Sequence, residues 1–254
     1  MPRGGLNSLS SNYWKAQKER ILSSRDRIRA KDTVIANGRI IPETDDLVIG
    51  LGRRLQAVVL FLDLCKFSHR RAETELEQDL LLRILNLFFT EMVHVVEDYG
   101  GVVEKNTGDG LMAYFVADPL WDCDVRQRAV AAALTMFSSA NFIINPILEL
   151  TPTDPVKFRV CMDYGWVSIA RMGAAHRFNN IVAVGTTANI ASKMLNFAGE
   201  NSILLGDAML GGLPPDWLKR FVQLKTEESG WIYRESNVPY RFWEYRGRWT
   251  QPQS

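Results

Sequence analysis

The sharpest hydrophobic signal in the chain is the unbroken apolar run Ala57-Val58-Val59-Leu60-Phe61-Leu62, closed by Asp63. A short run without alternation is the pattern of a strand buried on both faces. Downstream, Leu81, Leu85, Phe88, Met92, Val95 and Tyr99 recur at spacings of three and four, which predicts a long helix ended by Gly100-Gly101. Val102–Lys105 and Leu111–Phe115 read as two short strands, joined by a tight hairpin over Asn106-Thr107-Gly108-Asp109-Gly110. A second helix is predicted over Asp122–Phe142. Beyond a loop marked by Pro146, Pro152 and Pro155, Val156–Asp163 and Trp166–Arg171 read as a strand pair turning at Tyr164-Gly165. A third helix follows Gly185, and short strands near Ile203–Leu205, Phe221–Leu224 and Arg241–Tyr245 finish the chain.

Strand, helix, hairpin, helix, strand is the order of an α+β fold with a ferredoxin-like βαββαβ core, here extended by C-terminal strands. The first 50 residues differ from the rest. Trp14–Thr33 is dense in both signs of charge, with sparse apolar positions at Ile21, Leu22 and Ile28. It reads as a solvated helix whose narrow stripe packs on the main domain or on a second copy. Ile41–Asp46 reads as a loop. The predicted organisation is an N-terminal helical arm and linker over residues 1–50 and one α+β domain over 51–254.

Composition narrows the function classes. Thirty Lys+Arg against 29 Asp+Glu leave a net charge of +1, so no global field favours nucleic acid or anionic membrane. The longest apolar run, Ala129–Phe137, is interrupted by Thr135 and is too short to span a bilayer. Met1-Pro2-Arg3-Gly4-Gly5 lacks the apolar core of a signal peptide. Cys65, Cys123 and Cys161 form no CxxC and are odd in number, as reduced cytoplasmic thiols are. His69, His94 and His176 have no partner at metal-ligand spacing and read as surface or packing residues. The expectation is a cytoplasmic protein with no membrane and no nucleic-acid partner.

Two acids stand out. Asp63 closes a buried strand and Asp109 sits in a hairpin turn; in a βαββαβ sheet the first strand lies beside the hairpin, so both reach one edge. Two close carboxylates repel unless a cation lies between them. Hard divalent ions take oxygen ligands, commonly one or two carboxylates plus substrate phosphates. Two ions about 3.5–4 Å apart stabilise both the attacking and the leaving oxygen of a phosphoryl displacement. The plainer alternative is that Asp109 serves its Gly-Asp-Gly turn and Asp63 caps a helix.

The motifs around these acids resemble those of the class III nucleotidyl cyclases, the adenylate and guanylate cyclase family. Phe61-Leu62-Asp63-Leu64-Cys65-Lys66-Phe67-Ser68 is similar to the family's F-x-D-[IL]-x-G-F-[ST], and Glu104–Met112 to its E-K-x-x-G-D-x-x-M. Val160–Gly165 with Val167 resembles G-x-x-x-G-x-V, and Gly185–Lys193 resembles G-x-x-V-N-x-A-[SA]-R. The resemblance implies that residues 51–254 form a cyclase catalytic domain. It implies that Asp63, Asp109 and the Leu64 carbonyl hold two Mg²⁺ or Mn²⁺ ions per site, and that the amides of Cys65 to Ser68, with Phe67 and Ser68 nearest the substrate, cradle its phosphates at a helix start. Asn189 would orient the ribose, and Lys193, four residues on and on the same helix face, would meet the developing phosphate charge. Arg241 lies near a triphosphate-binding cation of the family. Metal and Asn/cation halves come from different chains in the family, so a head-to-tail homodimer is implied.

Three departures matter. Lys66 replaces the usual Gly, either adding a cation near the triphosphate or standing on the surface. Lys193 replaces the usual Arg, keeping charge but losing the planar fork. At the base, Lys105 is the donor of adenine-specific members, but their Asp acceptor falls at Val182. An adenine amino group left unpaired costs about 1–3 kcal/mol. Uracil offers carbonyl acceptors that a lysine satisfies, so the expected reaction is UTP to 3′,5′-cyclic UMP and pyrophosphate. The chain also resembles the stand-alone bacterial pyrimidine cyclases of anti-phage systems, whose product activates a separate effector. The alternatives are an adenylate cyclase, a catalytically silent nucleotide-binding or dimerising homologue, and a polymerase-palm-like nucleotidyltransferase.

Overall fold

The computed structural model describes residues 8–30, 52–106, 108–150, 153–174, 178–225, 229–233 and 236–251; for 27–30, 52–53, 105–106, 170–174, 178–182 and 184 the description is of the backbone. The expected loop at 41–46 and His176 lie outside these residues.

Strand β1 (Gly52–Leu64) is central, and its residues alternate between two cores. Val58, Leu60, Leu62 and Leu64 face the cluster shared with helices α1 (Ser11–Ala30), α2 (Glu75–Asp98) and α3 (Val125–Ser139), while Ala57 and Val59 face a second cluster. Burial on both faces is what the unbroken apolar run predicts. The sheet runs β2 (Gly101–Asn106), β3 (Gly110–Val116), β1, β4 (Phe158–Ala174), β6 (Ile203–Gly206), β8 (Phe242–Tyr245), β7 (Val222–Leu224), and β5 (Phe178–Val184) also pairs with β4. The order β2-β3-β1-β4 is the ferredoxin-like core predicted from the element order.

Helix α2 starts earlier than its apolar spacing implies, because Thr74 and Glu77 form a reciprocal capping box. Asp124 caps α3 by accepting from the Arg126 amide at 2.8 Å. The helical path runs on through a π-helical turn (Ala140–Ile144) into α4 (Asn145–Leu148), past the predicted end at Phe142. The stretch Val125–Leu148 has the length and apolarity of a membrane span and is largely buried in the core.

One expectation fails for an identifiable reason, and one strand starts a residue late. There is no turn at Tyr164-Gly165. β4 is one strand of 17 residues, antiparallel to β1 from Leu64↔Phe158 to Gly52↔Ala170, parallel to β6 near its start and antiparallel to β5 near its end. Gly165 marks a close approach instead: a Cβ there would meet Thr187 Oγ1 at 2.6 Å, so the glycine lets α5 (Thr186–Met194) lie on the sheet. Phe221 ends a short helix, α6 (Pro215–Phe221), opened by Pro214-Pro215, and β7 begins only at Val222.

The N-terminal helix packs on α2 and buries Tyr13, Trp14 and Ile21. Its contact is substantially polar. Arg20 bonds Glu91 and Asp98 at 2.9 Å, Gln17 bonds Glu91 at 2.8 Å and Tyr13 bonds Asp98 at 2.7 Å. Glu91 is buried, so these donors are what permits a carboxylate there.

Candidate active site

The register of β1 and β3 brings the two acids together. Asp63 pairs with Gly110, and the Leu64 amide donates to the Asp109 carbonyl at 2.9 Å. Asp63, Leu64 and Asp109 therefore share one rim of the sheet. Asp63 follows Ala57, Val59 and Phe61 onto the face that α5 covers. Both acids are partly exposed. The donors at this rim are two carboxylates and a carbonyl, all oxygen, which is the chemistry Mg²⁺ and Mn²⁺ take. The described residues hold no group of three or more His, Cys, Asp or Glu placed for a metal.

A residue that sequence reasoning missed stands against Asp63. Arg159, its cross-strand partner on β4, places Nε at 2.8 Å and a terminal nitrogen at 2.6 Å from Asp63 Oδ2, and its other nitrogen donates to the Ala198 carbonyl at 3.2 Å. The signal was available only through the β1–β4 register, because 96 residues separate the pair. Arg159 neutralises the carboxylate and ties the rim to the segment after α5.

The loop after Asp63 differs from the expected helix start. Phe67–His69 forms a single 3₁₀ turn, and α2 opens only at Glu75. The Cys65 amide is spent on the Lys157 carbonyl at 2.8 Å. The first amides of the turn, at Phe67 and Ser68, are those that a 3₁₀ turn leaves without an internal partner. Lys66 has φ of 55°, the left-handed conformation that explains a glycine in the family motif. Its ammonium bonds Glu200 at 2.7 Å, as does that of Lys157, and the two cations hold the Glu200 carboxyl down at about 2. Lys66 is thus a surface lysine tied to the same segment as Arg159. Arg70, too, is held by Thr153 Oγ1 and the Asp154 and Pro155 carbonyls.

Asn189 and Lys193 lie one turn apart on the exposed face of α5 and line a groove of about 630 Å³ with Thr186, Ile190, Trp231, Tyr233 and Tyr240. The Lys193 ammonium sits 5.9 Å from the centre of the Trp231 ring. Asp63 and Asp109 do not line this groove. Arg241 precedes β8, outside the groove, 3.6 Å from Asp207.

Of the base-reading pair, the side chains of Lys105 and Val182 lie outside the described residues, but their backbones do not. Val182, in β5, pairs with Ala170 of β4. A bulge in β2 between Val103 and Lys105 frees Glu104, whose Oε2 accepts from the Ala183 amide at 3.2 Å. The neighbours of both positions are therefore in contact within one chain.

Comparisons with known proteins find nucleotidyl cyclases among both curated relatives and solved structures. No protein-family model matches the chain. It is 25% identical over 176 residues to a uridylate cyclase of Rhodovulum sp. (strain MB263), covering 66% of this chain and 70% of that one. It is 26% identical to a uridylate cyclase of Gulbenkiania mobilis, over 75% of each chain. A cytidylate cyclase of Escherichia coli is 25% identical over 66% of this chain but only 38% of its own length. Among solved structures, the guanylyl cyclase Cya2 superposes with a TM-score of 0.64 at 20% identity, over 78% of this chain and 94% of that one. The adenylyl cyclase CyaB from P. aeruginosa gives a TM-score of 0.59 at 21% identity, over 78% of this chain and 96% of that one.

Proposed function

We propose that this chain is a class III nucleotidyl cyclase that closes UTP to 3′,5′-cyclic UMP with release of pyrophosphate. The observation that carries the reading is the meeting of Asp63, Leu64 and Asp109 at one sheet rim in a cyclase fold. Ring closure joins the ribose 3′-oxygen to the α-phosphorus as the bond to the bridging oxygen of the β-phosphate breaks; the hydroxyl proton goes to solvent. Mg²⁺ or Mn²⁺, two ions held by the two carboxylates and the Leu64 carbonyl, would supply Lewis acidity toward that hydroxyl and the α-phosphate.

The chain's own groups do the positioning. Asn189 orients the ribose, and Lys193 places a positive charge where charge develops on phosphate. The Phe67 and Ser68 amides cradle phosphate oxygens and Arg241 adds a cation at the triphosphate end. Asp63 and Asp109 do not line the groove of Asn189 and Lys193, and in this proposal the rim of one chain works with the groove of a second copy, arranged head to tail with two sites.

Uracil is supported by Lys105 as a donor, by Val182 where adenine would need an acceptor, and by similarity to two proteins named uridylate cyclase. Cytosine is the second reading, favoured by the cytidylate cyclases among the relatives; its amino group also lacks an acceptor at Val182. The product serves, in this proposal, as a cytoplasmic messenger in bacterial anti-phage defence, acting through a separate effector. Incubating the purified protein with Mn²⁺ and each of the four NTPs tests the assignment. Cyclic UMP as the main product is the expected result. Mainly cyclic CMP or cyclic AMP overturns the uracil assignment, and no cyclic product from any NTP overturns the cyclase reading.

A further inference from the structure

Beneath the groove lies a carboxylate that the reaction does not use. Asp163, on β4, is 3% exposed, and its Oδ1 accepts from the Tyr240 hydroxyl at 2.7 Å. Gly206 makes the room, since a Cβ there would collide with both Asp163 and Tyr240. The other ionisable groups facing this carboxyl are Asp207 after β6, with Arg241 against it, and Tyr233.

Tyr240 ends a strap, residues 229–240, that forms the second wall of the groove. Among its described residues Tyr240 is the buried one, while Ile232 is 58% and Val238 49% exposed. The strap folds on itself: the Tyr240 amide donates to Trp231 at 2.8 Å, Tyr233 to Val238 at 2.9 Å and Asn237 to Tyr233 at 2.8 Å. Its attachment to the domain depends on Tyr240 and on Trp231, whose ring meets Phe197 at 5.7 Å. Trp231, Tyr233 and Tyr240 line the groove opposite Asn189 and Lys193.

We propose that Asp163 is a positioning residue of the nucleotide site: through the Tyr240 hydroxyl it seats the 229–240 strap opposite α5 and sets the width of the groove that Asn189 and Lys193 line. This rests on the cyclase reading for the identity of what the groove holds. The anchor also has a pH sense. Burial lifts the Asp163 carboxyl to about 7. Opening the strap hydrates the ion, so the closed strap is favoured by the protonated form and loosens as pH rises through that value.

Amide hydrogen exchange on the full chain, read beside NTP kinetics, tests the proposal. Tyr240→Phe keeps the ring and removes the donor. Exchange should quicken about ten-fold at Tyr233, Asn237 and Tyr240 while β1 and α2 stay unchanged, which also shows that the variant is folded. KM for the nucleotide should rise about ten-fold, with kcat within about three-fold. Asp163→Asn keeps an acceptor; its strap protection should match wild type at pH 6 within about two-fold and lose the wild-type decline between pH 6 and 8. Unchanged strap exchange in Tyr240→Phe, a loosened strap with unmoved KM, or a pH decline that persists in Asp163→Asn each overturns the proposal. A wild type that turns over no NTP overturns the cyclase reading instead, and with it the groove's assignment to nucleotide, while strap exchange still decides whether Asp163 anchors the strap.

Discussion

The rim and the groove, two halves of one site in the proposed reading, are built by different means. At the rim, the backbone sets position: Asp63 and Asp109 are fixed by ladder pairing of β1 with β3, and Arg159 by pairing of β1 with β4. In the groove, one wall is a helix face and the other a strap held largely by side chains. Ladder register cannot slip by one residue without turning every core side chain to the wrong face. A strap hung on one buried tyrosine has no such protection. The rim is therefore the rigid half of the site and the groove the adjustable half.

The largest expected effect is at the rim. Asp63→Ala or Asp109→Ala should lower kcat by about a thousand-fold or more, about 4 kcal/mol of barrier, since in the proposed reading each removes an oxygen ligand that no neighbour replaces. Thermal stability should change little for Asp109→Ala, which lies in a turn. Asp63→Ala should cost more, because it strands Arg159 without its carboxylate. Single-turnover rates and melting curves of both variants check this, and a retained kcat in either removes the rim from the chemistry.

Asn189→Ala on the groove side should cost about a hundred-fold, and mixing joins the two halves. In a head-to-tail dimer, equal amounts of the Asp63→Ala and Asn189→Ala chains give half heterodimers, each with one intact site of two. Activity should recover to about a quarter of wild type. If the mixture stays at the level of the separate variants, rim and groove do not meet across a partner, and the two-chain site fails.

The next contrast is electrostatic. Near the rim Glu200 is held down at about 2 by Lys157 and Lys66, whereas under the groove Asp163 is pushed up to about 7, chiefly by burial. A raised carboxyl stabilises the fold fully below its ordinary value, near 4, and that contribution is lost as pH rises through about 7. Lifting it from 3.8 to about 7 corresponds to about 4 kcal/mol. Relative to Asp163→Asn, the wild type should lose stability of that order between pH 4 and pH 8. Denaturant unfolding at the two pH values measures it, and a wild type that gains stability relative to the variant would contradict the assignment.

The same division explains what was legible from the amino acids alone. The rim could be read because a buried apolar run, a Gly-Asp-Gly turn and a βαββαβ order together dictate which strand ends meet. Asn189 and Lys193 were picked out by the motif resemblance, and four residues of helix fix their common face. Arg159, Asp163 and the strap could not be read. Their roles depend on the register of β1 with β4 and on Tyr240 reaching back 77 residues to Asp163. The false turn at Tyr164-Gly165 has a related origin: glycine there reads locally as a break, yet it serves the approach of Thr187 on α5.

The smallest effect tests how rigid the rim is. Lys66 holds a left-handed φ of 55° and a 2.7 Å ion pair to Glu200. Lys66→Gly relieves a conformational cost of about 1 kcal/mol but loses an exposed ion pair worth about 0–1 kcal/mol, and it frees the unfolded chain further. These oppose one another, so stability should change by less than about 0.5 kcal/mol. Turnover should change less than about three-fold, because the lysine is committed to Glu200 and not to phosphate. A KM increase of ten-fold or more in Lys66→Gly would instead make Lys66 a triphosphate contact. The 3₁₀ turn would then have to release its ammonium from Glu200 on binding, and the rim would be no more rigid than the groove.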